Sequence, residues 1–458
     1  MLNEKLTEEL EKIRKAQKSH HGERICDDIV MLAKIGQGGM GEIFKAVEVI
    51  SGGNGLQEKV LAEMLTLSRI EDDLYLAELD LAAKEAAKIT YQHEIPQLRE
   101  VVSVLKRERA MQERDKNRGL VNNNDDIKRL ESRLNIREPQ FRLVAAKHLA
   151  KIRLIDEAHL GHRYKREMGI QASLSSHTNI VPVYRTIETS ESLWSISEFV
   201  DGLNMKRLID SREREIADGH KHLDAVPALI IGYYISHALN HLNNHLITHN
   251  DLKPSNIMVS NEGIVKLLDF GIATGKERLH LTDEEKKEDT TLDIAAGTRF
   301  YRSPEHVRLY NEFSKDSGAA PARKPDSRDI RSDIFVLGII MYEALTGQKP
   351  FDDPSGSKTL IDGKIMNSRP APLRSYISNK DLTRQAYRDI QVLVSRCMRK
   401  KREKRYQSPL DIAIGIEHIL NKHFDVKISQ YQQRLREYVA TTKAPVTATS
   451  GMDETGIA

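Results

Sequence analysis

With 458 residues, 39% apolar and 30% charged, the chain has room for two or three domains or one large two-lobed body, and its charge suggests long solvated helices. A net charge of +3 is close to neutral, so nothing global argues for nucleic acid or an anionic membrane as partner. Two cysteines far apart in sequence, Cys26 and Cys397, argue against a disulfide framework and for a reducing cytosol.

The first ten residues lack the apolar core of a signal peptide, and the greasy stretch from Ala228 to Tyr234 is far too short to span a membrane. The expected location is the cytoplasm, or a host-cell cytosol if a specialised secretion system exports the protein. Residues 1–28 form a polar extension, helical over much of its length. Residues 29–47 alternate around a glycine cluster and predict strand, turn, strand. From 50 to 140 the character changes: Val60, Met64, Leu67, Leu74 and Leu81, then Leu98, Val102 and Leu105, recur at helical spacing among many charges. Pro96 breaks that pattern, and Ile127, Leu130 and Leu134 suggest a third, short helix. The stretch reads as a helical hairpin or small bundle, partly coiled coil in style. Strand patterning returns at Phe141–Lys147. From 226 to 424 the chain is mostly helical, with short strands around 256–268. The extension at 425–458 ends in a Thr- and Ala-rich tail without periodicity, expected to be disordered.

The chemistry concentrates in His249-Asn250-Asp251-Leu252-Lys253-Pro254-Ser255-Asn256 and in Asp269-Phe270-Gly271, which begins thirteen residues after Asn256. A base candidate, a cation and an amide share one loop, and a second carboxylate follows on the next. That is the equipment for moving a phosphoryl group from a metal-bound nucleotide to a hydroxyl. Gly36-Gln37-Gly38-Gly39-Met40-Gly41 fits G-x-G-x-x-G, and an alternating strand follows it where a dinucleotide-binding fold would place a helix. Such a hairpin lets backbone amides close over phosphates. Val144-Ala145-Ala146-Lys147 is a strand ending in a lysine suited to the α- and β-phosphates, and Glu167 stands where a helical carboxylate would hold that lysine. Ser197-Glu198-Phe199-Val200-Asp201-Gly202 looks like a hinge between lobes. Further on come Gly297–Glu305, Ser332–Gly338 and Arg405, a candidate buried partner for Glu305. His237, His241, His245 and His249 recur every fourth residue, but no cysteine accompanies them and His249 belongs to the loop, so no metal site is assigned there. The run Arg399–Arg405 is expected to be a solvated helix end.

In this order the motifs resemble the eukaryotic-like Ser/Thr protein kinases of bacteria, over residues 29–47 and 141–424. The resemblance implies an α+β, two-lobed protein-kinase fold over 29–424, with a small β-rich N-lobe at 29–198 and a larger helical C-lobe at 199–424. It implies ATP with magnesium or manganese in the cleft and protein substrates at its mouth. Asp251 would accept or orient the hydroxyl proton, Lys253 would stabilise the moving phosphoryl group, and Asn256 and Asp269 would hold the metal. The ATP site would comprise Ile35, Gly36, Gly38, Gly39, Gly41, Ile43, Ala145, Lys147, Glu167, Glu198, Val200 and Met258, with Thr290 and Thr291 the sites of autophosphorylation. Two departures stand out. Asn250 replaces an arginine that pairs with an activation-loop phosphate in many kinases. The insertion at 50–140 lies where the family has a short turn, and reads as a docking or self-association module whose excision over 54–138 would restore an ordinary small lobe. The expected activity is ATP-dependent transfer to Ser/Thr hydroxyls. The alternative is a weakly active kinase-fold scaffold whose insertion recruits a partner. A small-molecule kinase fits less well, because the segment ending at Ser303-Pro304-Glu305 is a platform for peptides.

Overall fold

A computed structural model describes residues 10–15, 19–38, 41–49, 54–86, 95–117, 141–150, 168–189, 192–210, 222–269, 300–315, 329–377 and 382–443. The first lobe is built on a six-stranded sheet in the order β1-β2-β3-β4-β6-β5, made of Arg24–Cys26, Ile29–Gly38, Gly41–Val49, Phe141–Ala150, Val183–Glu188 and Ser192–Glu198 numbered in chain order. Every pairing is antiparallel, and the β2–β3 hairpin closes at Gly38 opposite Gly41. The pleat then sorts the side chains. Phe44, Ala46, Val144 and Ala146 bury one face together with Ile29, Met31, Trp194 and Ile196. Ile43 opposite Lys147, and Lys45 opposite Ala145, fall on the other face.

The inserted residues form two long helices, α1 (Asn54–Ala86) and α2 (Ile95–Asn117). Pro96, where the helical pattern breaks, sits in the first turn of α2, where its missing N–H costs nothing. The hairpin buries Leu74, Leu76 and Ala77 against Leu98, Val101, Val102 and Leu105. Leu10 and Ile13 complete that core from a helical segment at 10–15, and Arg14 grips Asp73 at 2.6 and 2.5 Å. The segment at 10–15 is thus the third side of the insertion's own core, because an amphipathic hairpin has more apolar surface than two helices can hide from water. The expected short helix around 127–134 lies outside the described residues.

α1 also lies along β2. Met64 packs on Val30, Leu32 and Val47, Asp72 Oδ1 accepts the Lys34 backbone N–H at 2.9 Å, and Ser68 Oγ reaches Leu32 O at 3.4 Å. An exposed strand edge is a template for unwanted pairing, and this helix covers it.

The second lobe surrounds α4 (Ala225–Asn244) and α6 (Arg331–Thr346). All but the first residue of α6 are buried, so the helix is apolar nearly all round and forms the centre of the lobe. α8 (Arg384–Cys397) and α9 (Pro409–Phe424) pack around these two, and at Gly338 any Cβ would meet Cys397 at 2.7 Å. A small sheet, β7 (Gly202–Asn204), β8 (Ile257–Ser260) and β9 (Val265–Leu267), borders the cleft. Between β7 and α4 lies the short α3 (Met205–Asp210), and α5 (Pro304–Lys315) and α7 (Lys358–Asn367) complete the middle of the lobe. A last helix, α10 (Tyr431–Lys443), buries Tyr431, Leu435 and Val439 in the same core; the expected disordered tail from 444 onward lies outside the described residues. Among the described residues no helix is long and apolar enough to cross a membrane.

The basic run at 399–405 is solvated over most of its length, with Arg399, Lys401, Glu403 and Lys404 exposed, while Lys400 and Arg405 turn inward. Arg405 is 1% exposed and grips Glu305 through Nη1–Oε1 at 2.6 Å and Nη2–Oε2 at 2.8 Å. Lys400 donates to Ile365 O at 2.6 Å over the Phe351 ring, and burial, with Arg405 nearby, lowers its pKa to about 7. Burial alone would raise the Glu305 carboxyl, but Arg405 and Ser332 hold it down at about 2. The folded pKa is depressed, so this stabilisation is present above the ordinary glutamate value of 4.5 and is lost as pH falls from there through about 2. Arg405→Leu should cost about 3–5 kcal/mol, because it strands a buried carboxylate; a chemical-denaturation midpoint unchanged by the substitution would refute this.

Candidate active site

Lys147 reaches out of β4 and donates from Nζ to Asp269 Oδ1 at 2.9 Å. Burial pushes the Asp269 carboxyl up, but Lys147 first, then Lys253 and His249, bring it below the ordinary carboxylate value. The site therefore holds a lysine and an ionised carboxylate at the junction of the lobes. Glu167, the expected partner of Lys147, and Gly39 lie outside the described residues, as do Thr290 and Thr291. Gly36, Gly38 and Gly41 lie in the β2–β3 hairpin.

The loop between α4 and β8 is held from beneath by Asp333, which is 1% exposed. Its Oδ2 accepts the His249 N–H at 2.8 Å and its Oδ1 the Asn250 N–H at 3.0 Å. Burial raises the Asp333 pKa, against the pull of His249 and of these two amides. His249 Nε2 lies 3.0 Å from Leu268 O and ties the loop to the residue before Asp269. Asn250 takes φ of 61°, a left-handed conformation that asparagine tolerates better than most residues. Downstream, Lys253 Nζ donates to Asp251 Oδ2 at 2.7 Å, and Asn256 Nδ2 donates to Asp251 O at 2.9 Å and Oδ2 at 3.2 Å. With its NH₂ so engaged, Asn256 has an oxygen acceptor left for a cation. The segment Ser332–Gly338 stands out in the sequence without a role of its own; its signal is a carboxylate in the first turn of a helix whose one other acidic residue is Glu343.

On β6, Ser197 lies opposite Ala145 and donates from Oγ to Ala145 O at 3.3 Å. The Glu198 carboxylate takes Lys266 Nζ at 2.6 Å. One cavity of about 630 Å³ brings together Ile35, Gly36, Ile43, Ala145, Lys147, Glu198 and Val200. Lys253, Asn256, Met258 and Asp269 line it from the other lobe, with Asp251 held behind Lys253 and Asn256. Ser197 also lines it, and its small side chain leaves room that methionine would fill. We expect Ser197→Met to shut out ATP analogues with bulk on the adenine ring while ATP itself is still used; equal exclusion of such analogues by both forms would contradict this placement.

The same cavity is also lined by Glu71, Leu74, Tyr75 and Glu78 of α1 and Arg109 of α2, which no motif in the sequence announces. The insertion, expected as a docking or self-association module, thus borders the nucleotide motifs. The four-residue histidine spacing brings rings together at tilted angles. His241 lies 4.8 Å from His177 and 4.4 Å from His245 between centroids, and burial first, then His241, His237 and Lys266, lowers the His177 pKa to about 4. Among the described residues no cluster could hold a metal ion by His, Cys, Asp and Glu ligands.

The family model described as protein kinase domain matches residues 133–424, which is more than half of the chain. A probable serine/threonine-protein kinase of Corynebacterium efficiens is 30% identical over 276 residues, 60% of this chain and 37% of that protein. The serine/threonine-protein kinase PrkC of Bacillus subtilis is 33% identical over 193 residues, 42% of this chain and 25% of its own length. PknB of Mycobacterium tuberculosis is 28% identical over 263 residues, 57% and 36% respectively. The match therefore spans only about a third of the length of these relatives. The glycine hairpin lies ahead of the matched residues, separated from them by the insertion, and the sheet register joins it to them.

Proposed function

The chain belongs to the protein kinase family, and from that premise we propose that it transfers the γ-phosphoryl group of ATP to serine or threonine hydroxyls of protein substrates. The observation that carries this reading is the convergence, at one cleft, of Lys147 paired with Asp269 and Asp251 paired with Lys253. Lys147 would neutralise the α- and β-phosphates. Asp251 would orient the acceptor hydroxyl and take its proton, and Lys253 would offset charge on the moving group. The Asn256 amide oxygen and the Asp269 carboxylate are hard oxygen donors, suited to magnesium or manganese. Such an ion, when bound, neutralises phosphate charge.

Asn250 carries no charge to pair with an activation-segment phosphate, so activity independent of phosphate at Thr290 and Thr291 goes with this reading. A protein acceptor is favoured over a small molecule by the anchoring of the segment that ends at Glu305, through the buried Arg405 and the Ser332 hydroxyl at 2.6 Å. The test is magnesium-dependent transfer of labelled phosphate from ATP to a generic basic protein. Tight binding of magnesium ATP with no transfer to any protein would point to the weakly active scaffold instead.

A further inference from the structure

One wall of the cleft comes from outside the kinase core. Glu71, Leu74, Tyr75 and Glu78 recur at three- and four-residue spacing, so a single face of α1 is turned on the cavity that Lys147 and Asp269 also line. That face is anchored. Lys45 Nζ donates to Glu71 Oε2 at 3.0 Å, and Lys45 is only 6% exposed. The same ammonium stands 5.2 Å from the centre of the Phe199 ring, so one ion pair ties the helix to the glycine hairpin and to the hinge together. One residue further, Asp72 holds the Lys34 backbone beside Ile35.

The position of this wall along a nucleotide follows from the rest of the site. A base at the hinge backbone and phosphates between the glycine hairpin and Lys147 leave the ribose between them, beside Ile35 and Asn204. Asn204 Oδ1 accepts the Arg207 backbone N–H at 2.8 Å, and both residues line the cavity that α1 borders. Tyr75 lines it from α1. It is half-buried, burial raises its phenol pKa, and it feels Glu42 of the hairpin and Arg207 of the other lobe at once. With α1 seated, the cavity still measures about 630 Å³, in the range of ligand sites, so the helix is a wall and not a plug.

We propose that α1 forms the ribose wall of the nucleotide site, and that Tyr75 excludes nucleotides carrying bulk on the ribose 2′ or 3′ oxygen. This rests on the assignment of the cleft to ATP. The experiment is calorimetric binding of ATP and of ATP bearing an anthraniloyl group on the ribose, to the full chain and to Tyr75→Ala and Tyr75→Phe. The unaltered chain is expected to prefer plain ATP by roughly tenfold or more, Tyr75→Phe to keep that preference, and Tyr75→Ala to narrow it to within about threefold. Equal affinity of the unaltered chain for both nucleotides overturns the proposal with no variant needed. A folded Tyr75→Ala that still discriminates fully overturns it too. Failure of the unaltered chain to bind either nucleotide sinks the ATP assignment and this wall with it, a result distinct from equal binding of both.

Discussion

Asp251→Asn should lower kcat by about 10²–10⁴-fold and leave the affinity for magnesium ATP nearly unchanged. An asparagine oxygen in place of Oδ2 can still accept the bond that Lys253 makes at 2.7 Å, so the loop keeps its shape. The amide cannot take a proton, so only the step involving the acceptor hydroxyl is lost. Lys147→Ala is the contrasting case: the lysine lines the cleft and pairs with Asp269, so its loss should weaken nucleotide binding as well as turnover. Steady-state kinetics and a separate measure of nucleotide affinity distinguish the two. Near-normal turnover by Asp251→Asn would remove Asp251 from the chemistry.

Much of this site could be read from the chain because its motifs sit on short loops whose residue types are dictated by chemistry. The segment from His249 to Asn256 is one, and Asp269 is another. Glu305 and Arg405 were also legible as a pair, from the order of the motifs in which they stand. The insertion was harder. Helical periodicity shows that a segment has an apolar face, but not what that face meets. Leu74 and Leu98 announce a hairpin, and only the fold shows that Leu10 and Ile13 complete it or that Tyr75 is turned on the cleft. The basic run ending at Arg405 was legible only in part: clustered charges usually mark a solvated surface, as most of these do, but the phenyl rings of Phe335 and Phe351 receive Arg405 and Lys400.

Excising residues 54–138 should now destabilise the first lobe, where sequence alone suggested an ordinary small lobe would remain. α1 covers Val30, Leu32 and Val47, and Leu143 packs beside them. Returning three or four such side chains to water costs about 1.5–3 kcal/mol each, so the total is roughly 5–12 kcal/mol. The entropy gained by removing the hairpin offsets little of this, because the hairpin has its own core with Leu10 and Ile13, and these two would be exposed as well. The deletion also frees the Lys34 and Leu32 backbone groups that Asp72 and Ser68 now satisfy, which reopens a sheet edge to other chains. A loss of this size is comparable to the whole stability of an ordinary domain. The deleted chain should therefore unfold or aggregate near room temperature, as thermal melting and light scattering would show. The outcome that defeats the argument is a monomeric deletion variant that melts with the intact protein.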